Sequence, residues 1–175
     1  PALILAIDPG PELSAMVQYD PSWTSLSSRA LSPVVSEMCD NNVLCQNLRA
    51  YNSCAIGSGA FLAIESMVAR GPRRIGQPAL DTCVAIGRFL EAYWRGQYIL
   101  IAPHEIRRQL CGRVAASDAD VRRALIWRFG GDGDGDSDSR AIGTKAAPGP
   151  LFGVTGHCWS ALAVAVTAGR MMEAP

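Results

Sequence analysis

Two apolar runs in this chain each end on a carboxylate. Leu3-Ile4-Leu5-Ala6-Ile7 is closed by Asp8 and followed at once by Pro9-Gly10, and Ala60-Phe61-Leu62-Ala63-Ile64 is closed by Glu65. Short apolar runs bounded by Gly and Pro read as buried strands. A carboxylate at the end of such a strand is costly to bury unless a partner or a cation sits beside it. His157 opens a third apolar stretch, through Trp159, Leu162, Val164 and Val166, with the pattern of a helix. Two carboxylates and an imidazole placed in this way point to one metal site at the strand ends.

The chain has 175 residues, 49% of them apolar and 18% charged. That balance predicts one globular domain over residues 1–175 rather than long disorder. No apolar run reaches the roughly 18 residues of a membrane span, so a soluble, cytoplasmic protein is expected. The N-terminus has no signal-peptide pattern, and Pro1 is expected to be what remains after loss of an initiator Met. The six Cys form no Cys-x-x-Cys pair and read as free thiols of a reducing compartment.

Formal charge is zero but unevenly spread. Residues 70–128 hold eleven Arg against five acids, and residues 132–138 hold four Asp and no base. A basic middle section suits an anionic polymer, and Arg in particular suits phosphate; a plain solvated face is the competing reading. The acidic run lacks the spaced Glu of a calcium loop and reads as part of a flexible loop over 131–150.

Along the chain, strands are expected at 2–8, 14–20 and about 23–30. A helix over 34–51, capped by Ser32 or Ser36, comes next, then the strand ending at Glu65. A helix over 78–95, a strand over 97–102, a short helix at 104–111, a helix over 117–129 and a last helix over 156–172 complete the order. Ser117, with Asp120 three residues on, has the form of a capping box. This is a mixed α/β sheet with helices alternating later.

Taken together, Ile7-Asp8-Pro9-Gly10, Ala63-Ile64-Glu65, Pro103-His104-Glu105-Ile106-Arg107-Arg108 and Gly156-His157-Cys158-Trp159-Ser160-Ala161 resemble the RuvC-type Holliday junction resolvases of the RNase H-like superfamily, especially small phage forms. The resemblance follows the order of elements through almost the whole chain. It implies an RNase H-like mixed five-stranded sheet flanked by helices. It also implies a homodimer, through the helix near 78–95, that binds four-way DNA junctions and nicks two strands symmetrically with Mg²⁺, or Mn²⁺ in its place. Asp8 matches the family's first-strand aspartate and Glu65 its fourth-strand glutamate. His157 stands where the family has an acid or a histidine. Ser160 occupies the place of the family's last acid and is a departure, as is Asp118 near the family's lysine. The implied metal ligands are Asp8, Glu65, His157 and Ser160, with Asp8, Glu65 and His157 catalytic.

Such a donor set suits phosphodiester hydrolysis. Two hard cations about 3.5–4 Å apart can activate water and relieve charge on the leaving oxygen, and a histidine can serve as ligand or as general base. Arg70, Arg73 and Arg74 follow Glu65 and are expected to hold phosphates at the mouth of the site. Arg107, Arg108, Arg113 and Lys145 would extend the groove, and Met67 would wedge against bases. Each residue also has a plainer reading. Asp8 can be a turn residue bonding its own backbone, Glu65 a solvated strand end paired with Arg70, His157 an N-cap or core histidine, and Met67 a core residue. His104, after Pro103, reads as structural. Two other functions compete with cleavage. One is a junction-binding protein with catalysis weakened by Ser160. The other is a fragment of a sugar-kinase or actin-like ATPase, which the missing phosphate loop and short length disfavour.

Overall fold

The computed structural model describes residues 3–22, 34–53, 59–68, 75–93, 97–130 and 138–173. In chain order these form β1 (Ile4–Asp8), β2 (Leu13–Tyr19), β3 (Val34–Asp40), α1 (Asn41–Ser53), β4 (Phe61–Glu65), α2 (Gln77–Ala92), β5 (Gln97–Ile101), α3 (Pro103–Cys111), α4 (Asp118–Arg128), α5 (Asp138–Ala141) and α6 (Cys158–Glu173). The five strands make one mixed sheet in the order β3-β2-β1-β4-β5. The β1-β2-β3 half is antiparallel, and β4 and β5 run parallel to β1.

Alternation along β1 decides which side chains meet which helices. Ile4 and Ala6 belong to one buried cluster, with Ala63, Ile101 and the apolar residues of α6. Leu5 and Ile7 belong to a second, with Leu44 and Leu48 of α1 and Phe89 of α2. Successive strand side chains point to opposite faces, so a strand buried on both sides is apolar at every position. Asp8 is in phase with Ile4 and Ala6, and Glu65 with Ala63. Both carboxylates therefore lie on the α6 face, at the C-terminal ends of neighbouring parallel strands.

Most predicted elements stand within a few residues of their expected places, and the capping box is formed: Ser117 Oγ accepts from Asp120 N–H while the Asp120 carboxylate accepts from Ser117 N–H. The region 34–40 is a correction. It was expected to open a helix and is instead the edge strand β3, paired with β2 from Leu13↔Asp40 to Tyr19↔Val34. Val35 and Met38, read as part of an apolar helix stripe, are exposed on that strand. The helix starts at Asn41, where Asp40 Oδ1 accepts from Asn42 N–H at 2.8 Å; Ser36 lies within β3 and does not cap it, and Ser32 lies outside the described residues. The strand expected at 23–30 lies outside the described residues. Of the loop expected over 131–150, residues 131–137 lie outside them too, residues 138–141 form the single turn α5, and Ala141 is fully buried.

Candidate active site

Asp8 is placed by the turn that follows it. Gly10 N–H donates to Ser14 Oγ, whose hydroxyl donates to Asn41 Oδ1 at 2.7 Å; Asn41 Nδ2 in turn donates to the carbonyls of Gly10 and Pro11. Ser14 and Asn41 are buried, and this closed set of bonds ties the β1–β2 turn to the start of α1. A Cβ on Gly10 would lie 2.3 Å from the Leu13 carbonyl oxygen, so the turn closes only with glycine there. Glu65 is placed by the parallel pairing of β4 with β1 and β5, and by the bond from Ser66 N–H to the Ile101 carbonyl just beyond it.

On the facing side, α6 brings His157 and Ser160 to the same point. His157 Nδ1 lies 3.1 Å from Asp8 Oδ2. With Asp8 ionised the ring N–H donates, which leaves Nε2 as the basic nitrogen of the neutral ring. Ser160, one turn along the same helix face, is near enough to donate its hydroxyl to Asp8. Burial pushes the Asp8 carboxyl above its ordinary value; the bonds and charge from His157 and the Ser160 bond pull it down without cancelling that effect, and Asp118 adds a further upward push.

These groups line a cleft of about 860 Å³ whose far wall is built from α3 and α4, including Arg107, Asp118 and Arg122. The cleft continues past Asp8 and Glu65 into a smaller groove lined by Met67, which is 46% exposed and so not a core residue. Arg107 reaches the cleft but is engaged by Asp118 at 3.0 Å. Two other expected DNA contacts are held elsewhere: Arg108 pairs with Glu105, and Arg113 with Asp120 beside a separate groove containing Trp127. Lys145 is exposed within a turn closed by the Gly143–Pro148 bridge and does not line the cleft. Arg70, Arg73 and Arg74 lie outside the described residues. His104 is exposed, which removes a core role.

Two residues of the cleft escaped the sequence reading. Arg122 of α4 lies over the ring of Trp159 in α6, its guanidinium carbon 4.8 Å from the ring centroid. Trp159 had read only as one apolar position of a helix, and Arg122 as one Arg among many. The available signal was position, since Trp159 falls between His157 and Ser160.

The donor set bears on whether a cation fits. Among the described residues no three His, Cys, Asp or Glu side chains are gathered closely enough to enclose an ion. Mg²⁺, however, ordinarily takes one or two carboxylates and fills its remaining positions with water and substrate phosphate. Asp8 and Glu65, hard oxygen donors at neighbouring strand ends, suit that mode, and the partly buried Asp8 carboxylate gains most from a positive partner.

Among the described residues no helix is long and apolar enough to cross a membrane. By sequence, the chain matches no family model and no curated protein. By structure, it is similar to RuvC of Thermus thermophilus, at 18% identity and a TM-score of 0.62, over 98% of this chain and 96% of that one. It is equally similar to T. thermophilus RuvC in complex with a Holliday junction substrate, at 16% identity and a TM-score of 0.61, over 98% of this chain and 97% of that one. With β1 and β4 side by side and α6 across their ends, the chain is built over nearly its whole length on the RNase H-like fold of RuvC.

Proposed function

We propose that the protein is a metal-dependent endonuclease that resolves four-way DNA junctions by paired nicking. The observation that carries this reading is the meeting of Asp8 and Glu65, from adjacent parallel strands, with His157, just before α6, in one open cleft. The likeness to a RuvC bound to a Holliday junction supports the substrate class.

Asp8, Glu65, His157 and Ser160 are the residues that would hold Mg²⁺, or Mn²⁺ in its place. A bound divalent cation supplies Lewis acidity toward the phosphate oxygens and lowers the pKa of coordinated water. Asp8 orients His157 through Nδ1 and leaves Nε2 as the one nitrogen that would either ligate the cation or accept a proton from the attacking water. Glu65 supplies the second carboxylate. Ser160, where an acid would repel Asp8, instead donates to it. Met67 stands at the edge of the groove as an apolar wedge for junction bases. Arg70, Arg73 and Arg74, which follow Glu65 in sequence, supply phosphate contacts, with Arg107 at the cleft wall; such contacts give affinity and salt dependence rather than sequence choice.

The single domain acts as a symmetric dimer in the cytoplasm. On α2, Leu80 and Val84 are exposed, and Tyr98 and Leu100 of β5 are exposed on the same side of the sheet. A self-complementary patch of this kind would set two clefts against two opposed strands. Val84→Glu should convert dimer to monomer in sedimentation, leave the melting temperature of the monomer nearly unchanged, and replace paired nicks by single ones.

The deciding experiment offers a labelled four-way junction and a linear duplex of the same sequence, each with Mg²⁺, Mn²⁺ or EDTA. Paired nicks on the junction alone, and only with metal, are expected. Binding without nicks would favour a junction-recognition protein, a reading to which Ser160 in place of an acid lends weight. Neither binding nor nicks would overturn both.

A further inference from the structure

The arginines around the cleft have different partners. Arg107 is held by Asp118 at 3.0 Å and Arg108 by Glu105 at 2.9 Å, while Arg113 and Arg123 share Asp120 at 2.8 and 3.3 Å. Each of these guanidinium groups gives N–H donors to a carboxylate, and its charge is offset. Arg122 has an aromatic partner instead. It lies over the Trp159 ring, and among the described residues it makes no ion pair.

That difference matters because of guanidinium geometry. All five N–H donors lie in the plane of the group, so contact through its flat face with an indole leaves the donor edge unspent. Cation–π attraction thus holds the group in place without neutralising it. Trp159 is itself anchored, half-buried against the core in the first turn of α6, between His157 and Ser160 in sequence. Arg122 stands one turn after Asp118 on α4, on the wall of the cleft that faces Asp8 and Glu65. A planar fork of donors on the cleft wall, steadied by the ring, matches a phosphodiester's two free oxygens.

We propose that Arg122, held over Trp159, is the clamp for a backbone phosphate of the strand to be cut, with Trp159 as its positioning residue. The clamp rests on the nuclease reading above. It orders the phosphate before reaction, so its loss should slow the chemical step as well as weaken binding.

The test uses the full chain, a four-way junction and metal. It measures single-turnover cleavage, affinity as a function of salt, and melting temperature for Arg122→Gln, Arg122→Lys, Trp159→Phe and Trp159→Leu. Arg122→Gln should lower the single-turnover rate on the order of 10- to 100-fold, as expected for one charge-assisted hydrogen-bonded contact. It should also reduce the salt slope of binding by about one. Arg122→Lys should restore the slope, because charge returns, but only part of the rate, because the fork does not. Trp159→Phe keeps a ring and should stay near the wild-type rate. Trp159→Leu should lose rate while keeping most of the salt slope. Wild-type rate and slope in Arg122→Gln would overturn the clamp while leaving the nuclease standing, and Arg122 is exposed, so that variant does not depend on refolding a core. Wild-type rate in Trp159→Leu would remove Trp159 from the proposal. A wild-type protein that neither binds nor cuts would overturn the nuclease reading and the clamp together.

Discussion

On one face of the sheet α6 packs on β1 and β4 with alanines (Ala161, Ala163, Ala165 and Ala168) interleaved with Leu162, Val164 and Val166, over Ile4, Ala6 and Ala63. On the other face α1 and α2 meet the same strands through Leu44, Leu48, Phe89 and Tyr93. Small residues let a helix lie close to a sheet; large ones fill space and bury more area. The start of α6 sets His157, just before it, and Ser160, in its first turn, within reach of Asp8. The bulky face contributes no donor to the cleft and carries instead the exposed apolar residues of α2. One face thus assembles the candidate site, and the other gives stability and leaves apolar residues of α2 exposed.

Four substitutions would break or sharpen this division. Glu65→Gln, on the α6 side of the sheet, should abolish cleavage and keep junction binding; full cleavage by this variant would remove Glu65 from the site. Leu44→Ala, on the α1 side, should cost about 2–5 kcal/mol in denaturant unfolding and leave the single-turnover rate per folded molecule unchanged. A specific loss of rate there would show that the faces are coupled. Asn41→Ala joins the two roles, because Asn41 opens α1 and holds the turn after Asp8. Leaving Ser14 and the turn carbonyls unpaired should cost about 1–3 kcal/mol and slow cleavage as well. Stability loss with an intact rate would mean that the turn does not position Asp8.

The smallest effect is expected from Asp8→Asn, measured as melting temperature against pH. The folded state raises the Asp8 pKa above its ordinary 3.8. Stability present while the group is protonated is therefore lost as pH rises through the raised value. Asparagine never ionises, so the variant should melt slightly higher than wild type at neutral pH. That advantage should shrink as pH falls through the raised value and be gone below 3.8. A lower melting temperature at neutral pH would mean that the bonds from His157 and Ser160 outweigh burial.

Much of this was legible because burial leaves a simple trace. The strands ending at Asp8 and Glu65 are apolar on both sides, and turn residues follow Asp8. The Ser117–Asp120 box could be read from spacing alone. The 34–40 segment could not. At this edge strand both faces are only partly covered: Val34 and Cys39 are buried on opposite faces while Val35 and Met38 are exposed, and the mixed pattern imitates a helix stripe. The paired arginines were equally hidden: Arg107 and Arg113 look like free cations in sequence, and only the packing of α3 against α4 sets Asp118 and Asp120 beside them. Arg122 and Trp159 come from separate helices, and no local pattern announces a contact between them.

His157 and Asp8 are 149 residues apart along the chain, and β1 cannot pair with β4 until α1 has been bridged. Contacts of such long range are made late, because loop-closure entropy is lost before they contribute. A half-folded or fraying molecule has strands without their helix, or a helix without its strands, and in neither case a complete reaction centre. The arrangement is its own safety catch: the chain acquires its complete cleft only together with its finished tertiary structure.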